Sequence, residues 1–265
     1  MDPIMSKAAG SVDRRSFLST AATALAAIAL QETAAAQTQV STTTIKAVAF
    51  DAFAIFDPRS VYRKVEELFP GQGATVSERW RTRQFEYTWL RNSMRDYADF
   101  WHVTQDALNY AAEESGITLS SEERTVLMAA YSALKPWPDA AAAVRKLRDR
   151  GLRLAVLSNM TPAMMQACLK SSGLGEAFEL ALSTDRVGVF KPDPAAYHIG
   201  LDGFRLRRNQ IAFAAFGGWD AAGAKRFGYP TFWVNRLGVP AEKLGSSADA
   251  SYSDLSALPD FIDSL

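Results

Sequence analysis

IKAVAF, residues 45–50, closing on Asp51, is the stretch that decides the fold. A short, nearly continuous apolar run predicts a strand buried on both faces, because a strand with one wet face alternates apolar and polar residues. Runs of the same character recur at 152–157 (LRLAVL), 211–216 (IAFAAF) and 231–234 (TFWV), with a weaker one at 178–182 (FELAL). Helical segments lie between them. Residues 139–150 stop at Gly151, and 161–172 open on a threonine cap with proline in the first turn and stop at Gly173. Strand alternating with helix predicts an α/β fold, a doubly wound parallel sheet with helices on both faces.

The spacing adds a second feature. About 100 residues separate the first run from the second, where later crossovers take roughly 20 to 50, so an insert follows the first strand. Residues 58–137 read as a helical cap domain, set into a core made of 37–57 and 138–265. Within the insert Trp80, Tyr87, Leu90 and Met94 form one apolar stripe, and Arg81, Phe85 and Trp89 form another. A helix with two stripes is expected to pack on two sides.

Composition excludes several classes of function. The chain has 265 residues, 29 Lys+Arg against 29 Asp+Glu, and 48% hydrophobic residues. That balance provides no field to hold a polyanion, so nucleic acid is not an expected partner. The single cysteine, Cys168, cannot form an intramolecular disulfide and reads as a small core residue, and two histidines are too few for a multi-histidine metal site. Asp13-Arg14-Arg15-Ser16-Phe17-Leu18 is a twin-arginine pattern, followed by an apolar run to Leu30 and by Ala34-Ala35-Ala36. Residues 1–36 therefore read as a signal peptide for the twin-arginine export machinery, with the mature chain expected in the periplasm. At about 14 residues the run is too short to span a bilayer, so no membrane span is expected. The discarded part carries Lys7, Arg14 and Arg15 against Asp2, Asp13 and Glu32, so the mature chain stays neutral.

Ligands of open α/β sheets bind at the carboxyl ends of the strands. Those ends offer Asp51, Ser158-Asn159, Lys191 in VFKPDP, and Gly217-Gly218-Trp219-Asp220. Each alone has an ordinary role: Asp51 and Ser158 as helix caps, Lys191 as a solvated loop residue. Together they place two carboxylates, an ammonium and a neutral hydrogen-bonding pair on one rim.

FDAFAIFD (50–57), WRTRQFEYTWLR (80–91), LSNMTP (157–162), KPDPAAY (191–197) and GGWDAAGAKRFGYPTFWVNR (217–236) resemble the type II L-2-haloacid dehalogenases of the haloacid dehalogenase superfamily. The resemblance spans about 45 to 265. It implies that Asp51 attacks the halogen-bearing carbon of a short (S)-2-haloalkanoic acid, forming an ester that water then hydrolyses to an (R)-2-hydroxy acid. By the same resemblance Lys191 favours the ionised nucleophile, and Asp220 orients or deprotonates the water. Arg81, Asn159 and the Trp219 ring edge receive the halide, and Ser158 holds the substrate carboxylate. Tyr197 helps position Lys191. Phe53, Phe85 and Phe100 match positions around the alkyl group, Phe100 being as readily an ordinary core aromatic. The family implies no cofactor or metal, and leaves a homodimer open.

Phosphatases of the superfamily are the competing enzymes. They carry a second, metal-holding aspartate two residues after the nucleophile, where this chain has Phe53. Two unit charges about 4 Å apart repel by about 4 kcal/mol at an effective dielectric near 20, so a phosphate facing a bare Asp51 is disfavoured. The sequence also departs from the dehalogenase pattern. Ala54 stands where the family has Gly-Thr, and Ala215, Phe216 and Gly217 stand where it has Ser, Ser and Asn. A lost preorganised donor costs about 2.7 to 4 kcal/mol in a transition state. The alternative outside catalysis is a weakened relative that binds small carboxylates.

Overall fold

Strand β1 (Ala47–Phe50) lies inside a six-stranded sheet, in a computed structural model that describes residues 44–265. The predicted signal peptide lies outside the described residues. The other strands are β4 (Arg153–Ser158), β5 (Leu180–Ser183), β6 (Ile211–Ala215), β7 (Thr231–Val234) and β8 (Ala250–Tyr252). Their order is β5-β4-β1-β6-β7-β8, and every pairing is parallel. The winding direction reverses at β1, the position where such sheets open a crevice at their carboxyl ends.

The continuous apolar runs serve two cores. Val48 and Phe50 of β1 face one side with Leu154, Val156, Ala212 and Ala214; Ala47 and Ala49 face the other with Ala155, Leu157, Ile211 and Phe213. Helices α6 (Ala140–Asp149), α7 (Pro162–Ser172) and α10 (Leu258–Asp263) cover the first face. Helices α8 (Pro194–Phe204) and α9 (Gly218–Phe227) cover the second. The stop signals act as read: Gly151 and Gly173 take left-handed φ values of 75° and 69°, which cost a residue without Cβ little. Strand β8 and helix α10 have no counterpart in the sequence reading: the three residues of β8, none of them buried, leave no apolar run, and α10 has only six residues.

After β1 a single turn, α1 (Ala52–Ile55), leads into a two-residue strand β2 (Phe56–Asp57) paired antiparallel with β3 (Lys135–Pro136). Between them lie four helices: α2 (Arg59–Leu68), α3 (Gly73–Met94), α4 (Phe100–Glu114) and α5 (Ser121–Ala130). The two-stripe expectation for α3 holds for one stripe only. Trp80 is buried, but Leu90 and Met94 are 50% and 64% exposed. The buried face is instead Val76, Ser77, Trp80, Gln84 and Thr88. Two of its three polar members are satisfied internally, Gln84 Nε2 donating to Thr104 Oγ1 at 2.7 Å and Thr88 Oγ1 to Phe85 O at 2.7 Å, while Ser77 Oγ has no hydrogen-bond partner among the described residues. Such bonds remove the cost of burying polar groups and hide the face from a hydropathy pattern. No helix among the described residues is long and apolar enough to cross a membrane.

Candidate active site

Asp51 is the residue after β1, and its side chain caps α1 by accepting from Phe53 N at 3.0 Å. The ordinary role and the chemical one therefore coincide on one carboxylate: Oδ2 caps, while Oδ1 accepts from Lys191 Nζ at 2.8 Å. Lys191 is not a solvated loop residue. It is 1% exposed, and its ammonium also bonds Asp220 Oδ2 at 2.7 Å. Burial alone would lower the Lys191 pKa, but the two carboxylates outweigh it and hold the amine above its ordinary value. Asp220, fully enclosed at the first turn of α9, moves the other way. Desolvation pushes it up to about 6, assisted by the Asp51 charge and opposed by Lys191 and Tyr197.

Two loops hold this trio. Asn159, after β4, accepts from Lys191 N through Oδ1 at 2.9 Å, which fixes the amide orientation and turns Nδ2 away from that bond. Ser158 Oγ accepts from Met160 N at 3.2 Å. Tyr197 departs from expectation. Its hydroxyl donates to Asp220 Oδ1 at 2.7 Å and makes no bond to Lys191, and the residue does not line the cavity. The reason is position: Tyr197 sits in α8 beneath α9, where it reaches Asp220 from behind. It bears on substrate only through that carboxylate.

Above Asp51 lies a small, partly enclosed cavity of about 20 Å³. The core supplies Asp51, Phe53, Ser158, Asn159, Phe216, Gly217 and Trp219; the insert supplies Arg81, Phe85 and Phe100. Every residue predicted for the halide and alkyl positions is thus at its wall. Arg81 and Phe85 come from the second stripe of α3, four residues apart on one helical face. Trp89, one turn further on, packs edge-on against Trp219 with ring centroids 5.6 Å apart. Among the described residues no carboxylate pairs with Arg81, whose guanidinium lies 5.6 Å from the Phe85 ring centroid. An unpaired cation beside a partly buried cavity is a receptor for an anion.

The departures from the dehalogenase pattern have structural consequences. At Gly217 an added Cβ would come within 2.8 Å of Trp219 Nε1, so the indole in its present pose excludes any larger residue there. With Ala215 providing no hydroxyl, Lys191 Nζ bonds only the two carboxylates and sits 5.2 Å from the Phe213 ring centroid. The shortened segment after Asp51 is held from outside. Trp137 donates from N to Ile55 O at 2.9 Å and from Nε1 to Phe53 O at 3.0 Å. Arg236 donates to Ala54 O at 2.9 Å while its Nη1 and Nη2 each bond Asp139 at 2.9 Å.

Two further residues went unread in the sequence. Asn92, near the end of α3, bonds both backbone polar groups of Phe190, the residue before Lys191, donating to Phe190 O at 2.7 Å and accepting from Phe190 N at 2.9 Å. Tyr97 donates a short hydrogen bond to Asp185 and lies 5.0 Å from the Phe190 ring. No local pattern marks either, because their partners are about 90 to 100 residues away in sequence.

A family model described as haloacid dehalogenase-like hydrolase matches residues 31–228. The chain is 40% identical over 215 residues to an (S)-2-haloacid dehalogenase of Pseudomonas sp. (strain YL), covering 81% of this chain and 93% of that one. This chain belongs to the L-2-haloacid dehalogenases of the haloacid dehalogenase-like hydrolase family. In three dimensions it is similar to a crystal structure of an L-2-haloacid dehalogenase, with a TM-score of 0.82, 40% identity, and coverage of 83% of this chain and 100% of that one. It also matches the L-2-haloacid dehalogenase of Xanthobacter autotrophicus with chloropropionic acid covalently bound, at a TM-score of 0.79, 32% identity, and coverage of 84% and 100%.

Proposed function

We propose that the protein is an (S)-2-haloacid dehalogenase that hydrolyses short 2-haloalkanoic acids through an ester on Asp51. The observation that carries this reading is the Lys191 ammonium lying 2.8 Å from Asp51 and 2.7 Å from Asp220, beneath a cavity that also receives the unpaired Arg81. A pure anion binder has no use for two carboxylates at that point.

In the first step an Asp51 carboxylate oxygen attacks C2 from the side opposite the halogen. The C–O bond forms as the carbon–halogen bond breaks, and configuration inverts. The halide leaves with the bonding pair toward Arg81, Asn159 Nδ2 and the Trp219 edge, donors aimed where negative charge develops. Ser158 and neighbouring backbone N–H groups hold the substrate carboxylate, and Phe53, Phe85 and Phe100 enclose the alkyl group. In the second step water attacks the Asp51 ester carbonyl and gives its proton to Asp220, whose raised pKa suits a base working near neutrality. As the tetrahedral intermediate collapses, Asp220 gives that proton to the leaving C2 oxygen, the 2-hydroxy acid departs, and the Asp51 carboxylate returns with one oxygen from water, the second water proton being released to solvent.

The same reading makes residues 58–137 a cap over a core of 37–57 and 138–265, and makes the chemistry independent of divalent cations. It adds export to the periplasm on the twin-arginine stretch at 13–18, and a second copy of the chain as partner. The test is halide release from chloroacetate and both enantiomers of 2-chloropropionate, with chelator present, beside Asp51→Asn. Release from chloroacetate and the S enantiomer alone, abolished in Asp51→Asn, is expected. Phosphate release from a phosphomonoester without halide release would contradict the proposal.

A further inference from the structure

The catalytic cavity, at about 20 Å³, has room for about one water, so even a two-carbon haloacid is admitted only when a wall moves. Its walls differ in what lies behind them. Phe100 is fully buried, and Trp219, wedged between Gly217, Phe85 and Trp89, borders a pocket of about 730 Å³ that shares no other wall residue with the catalytic cavity. Phe216 is different. Its ring and the Arg81 side chain are also walls of a second chamber of about 400 Å³ between α3 and the loop after β6. The Phe216 backbone is tied down through its carbonyl to Trp233 Nε1 at 3.1 Å, and its ring, 6.0 Å from the Phe53 ring and 6.5 Å from the Trp137 ring between centroids, is the partition between the two spaces.

We propose that this chamber receives the haloacid anion before catalysis and that the Phe216 ring is the door between it and Asp51. The inference rests on the function proposed above. One face of α3, carrying Ala74, Ser77, Glu78 and Arg81 at helical spacing, forms one wall and runs on to Phe85 in the catalytic cavity. Arg81 is the cation that both compartments share, so a carboxylate engaging it in the chamber is already at the threshold of the reaction. Arg59 at the same wall has its charge matched by Asp57 at 2.8 Å, and the Glu78 carboxylate opposes an anion, which leaves Arg81 as the one unmatched cation of the wall among the described residues. Trp137 supplies apolar surface for the alkyl chain. Ser77 is 4% exposed, and its buried Oγ has no hydrogen-bond partner among the described residues. A chamber of this size takes a short monocarboxylate with an apolar chain.

The proposal assigns chain-length control to Phe216. Shortening Phe85 enlarges the catalytic cavity only by the atoms removed, because Trp89 and Trp219 close in behind it. Removing the Phe216 ring joins the cavity to the chamber. In Phe216→Ala the kcat/KM for 2-chlorohexanoate relative to 2-chloropropionate is expected to rise about tenfold or more. Ala74 is exposed and distant from the chemistry, and a bulky Ala74→Trp fills the chamber instead. In that variant the association rate of propionate, followed by stopped-flow tryptophan fluorescence, is expected to fall about tenfold. An unchanged chain-length ratio in a Phe216→Ala protein that still hydrolyses chloroacetate overturns the proposal. So does wild-type association of propionate in Ala74→Trp, an arm that decides the matter even if Phe216→Ala fails to fold. Absence of halide release from every haloacid by the unmodified protein would instead sink the dehalogenase reading, while the propionate arm would still report on the chamber.

Discussion

Helix α3 borders open space over its first two turns and is bonded to the core at its last. Ala74, Ser77, Glu78 and Arg81 face a chamber of about 400 Å³, whereas Asn92 makes two hydrogen bonds to Phe190 and Tyr97, just beyond the helix, bonds Asp185. At 1.5 Å per residue the two ends are about 27 Å apart, with Phe85 between them over the nucleophile. One helix therefore has a free edge, where a substrate anion can be admitted, and a fixed edge, which ties the helix to the segment carrying Lys191. Opening at the first need not disturb the charge arrangement held at the second.

The comparison predicts effects of different kind and size. The largest is expected for Arg81→Ala at the free edge: loss of the donor that meets the departing halide should lower kcat/KM about 100- to 1000-fold without lowering Tm. An equal fall in Tm would mean that Arg81 is structural. At the fixed edge Asn92→Ala loses two hydrogen bonds, about 1 to 3 kcal/mol of stability, and loosens the peptide before Lys191. A fall in kcat of about tenfold with little change in KM is expected; wild-type kcat would show that Lys191 is positioned without the clasp.

The pH profile separates the edges further. Asp220, with its pKa raised to about 6, is protonated below that pH and can accept no proton from water. Activity should be present above about pH 6 and lost as the pH falls through it. Displacing Lys191 weakens the charge that stabilises ionised Asp220, so Asn92→Ala should move this limb upward, and Ala74→Trp should leave it in place. Tyr97→Phe, which removes one hydrogen bond from Asp185, should cost about 1 kcal/mol and move the limb less than Asn92→Ala does. Smallest is Phe85→Leu, expected to shift preference by a few-fold, about 1 kcal/mol, toward one more methylene and no further.

The parallel sheet was legible because strands buried on both faces read as continuous apolar runs. The rim was legible because Asp51 and Asn159 directly follow β1 and β4, and Lys191 and Asp220 lie in the segments that follow β5 and β6. What the sequence did not reveal depends on distant pairing. Gln84 and Thr88 form part of the buried face of α3 as polar residues satisfied from within, so the visible stripe pointed to Leu90 and Met94, which are exposed. Tyr197 was assigned to Lys191 and belongs to Asp220, a choice between two partners 2.7 Å apart that only coordinates settle. Asn92, Trp137 and Arg236 hold peptide carbonyls, and a carbonyl is the same at every residue, so no residue type signals its partner.

The central claim is that Asp51 itself bonds to carbon. A single turnover of (S)-2-chloropropionate with excess enzyme in oxygen-18 water tests it most directly. The account predicts one heavy oxygen in the Asp51 carboxylate, located by mass spectrometry of its peptide, and none in the hydroxyl of the first lactate formed. Heavy oxygen in that lactate with none in Asp51 would mean that water attacks C2 directly, and would contradict it.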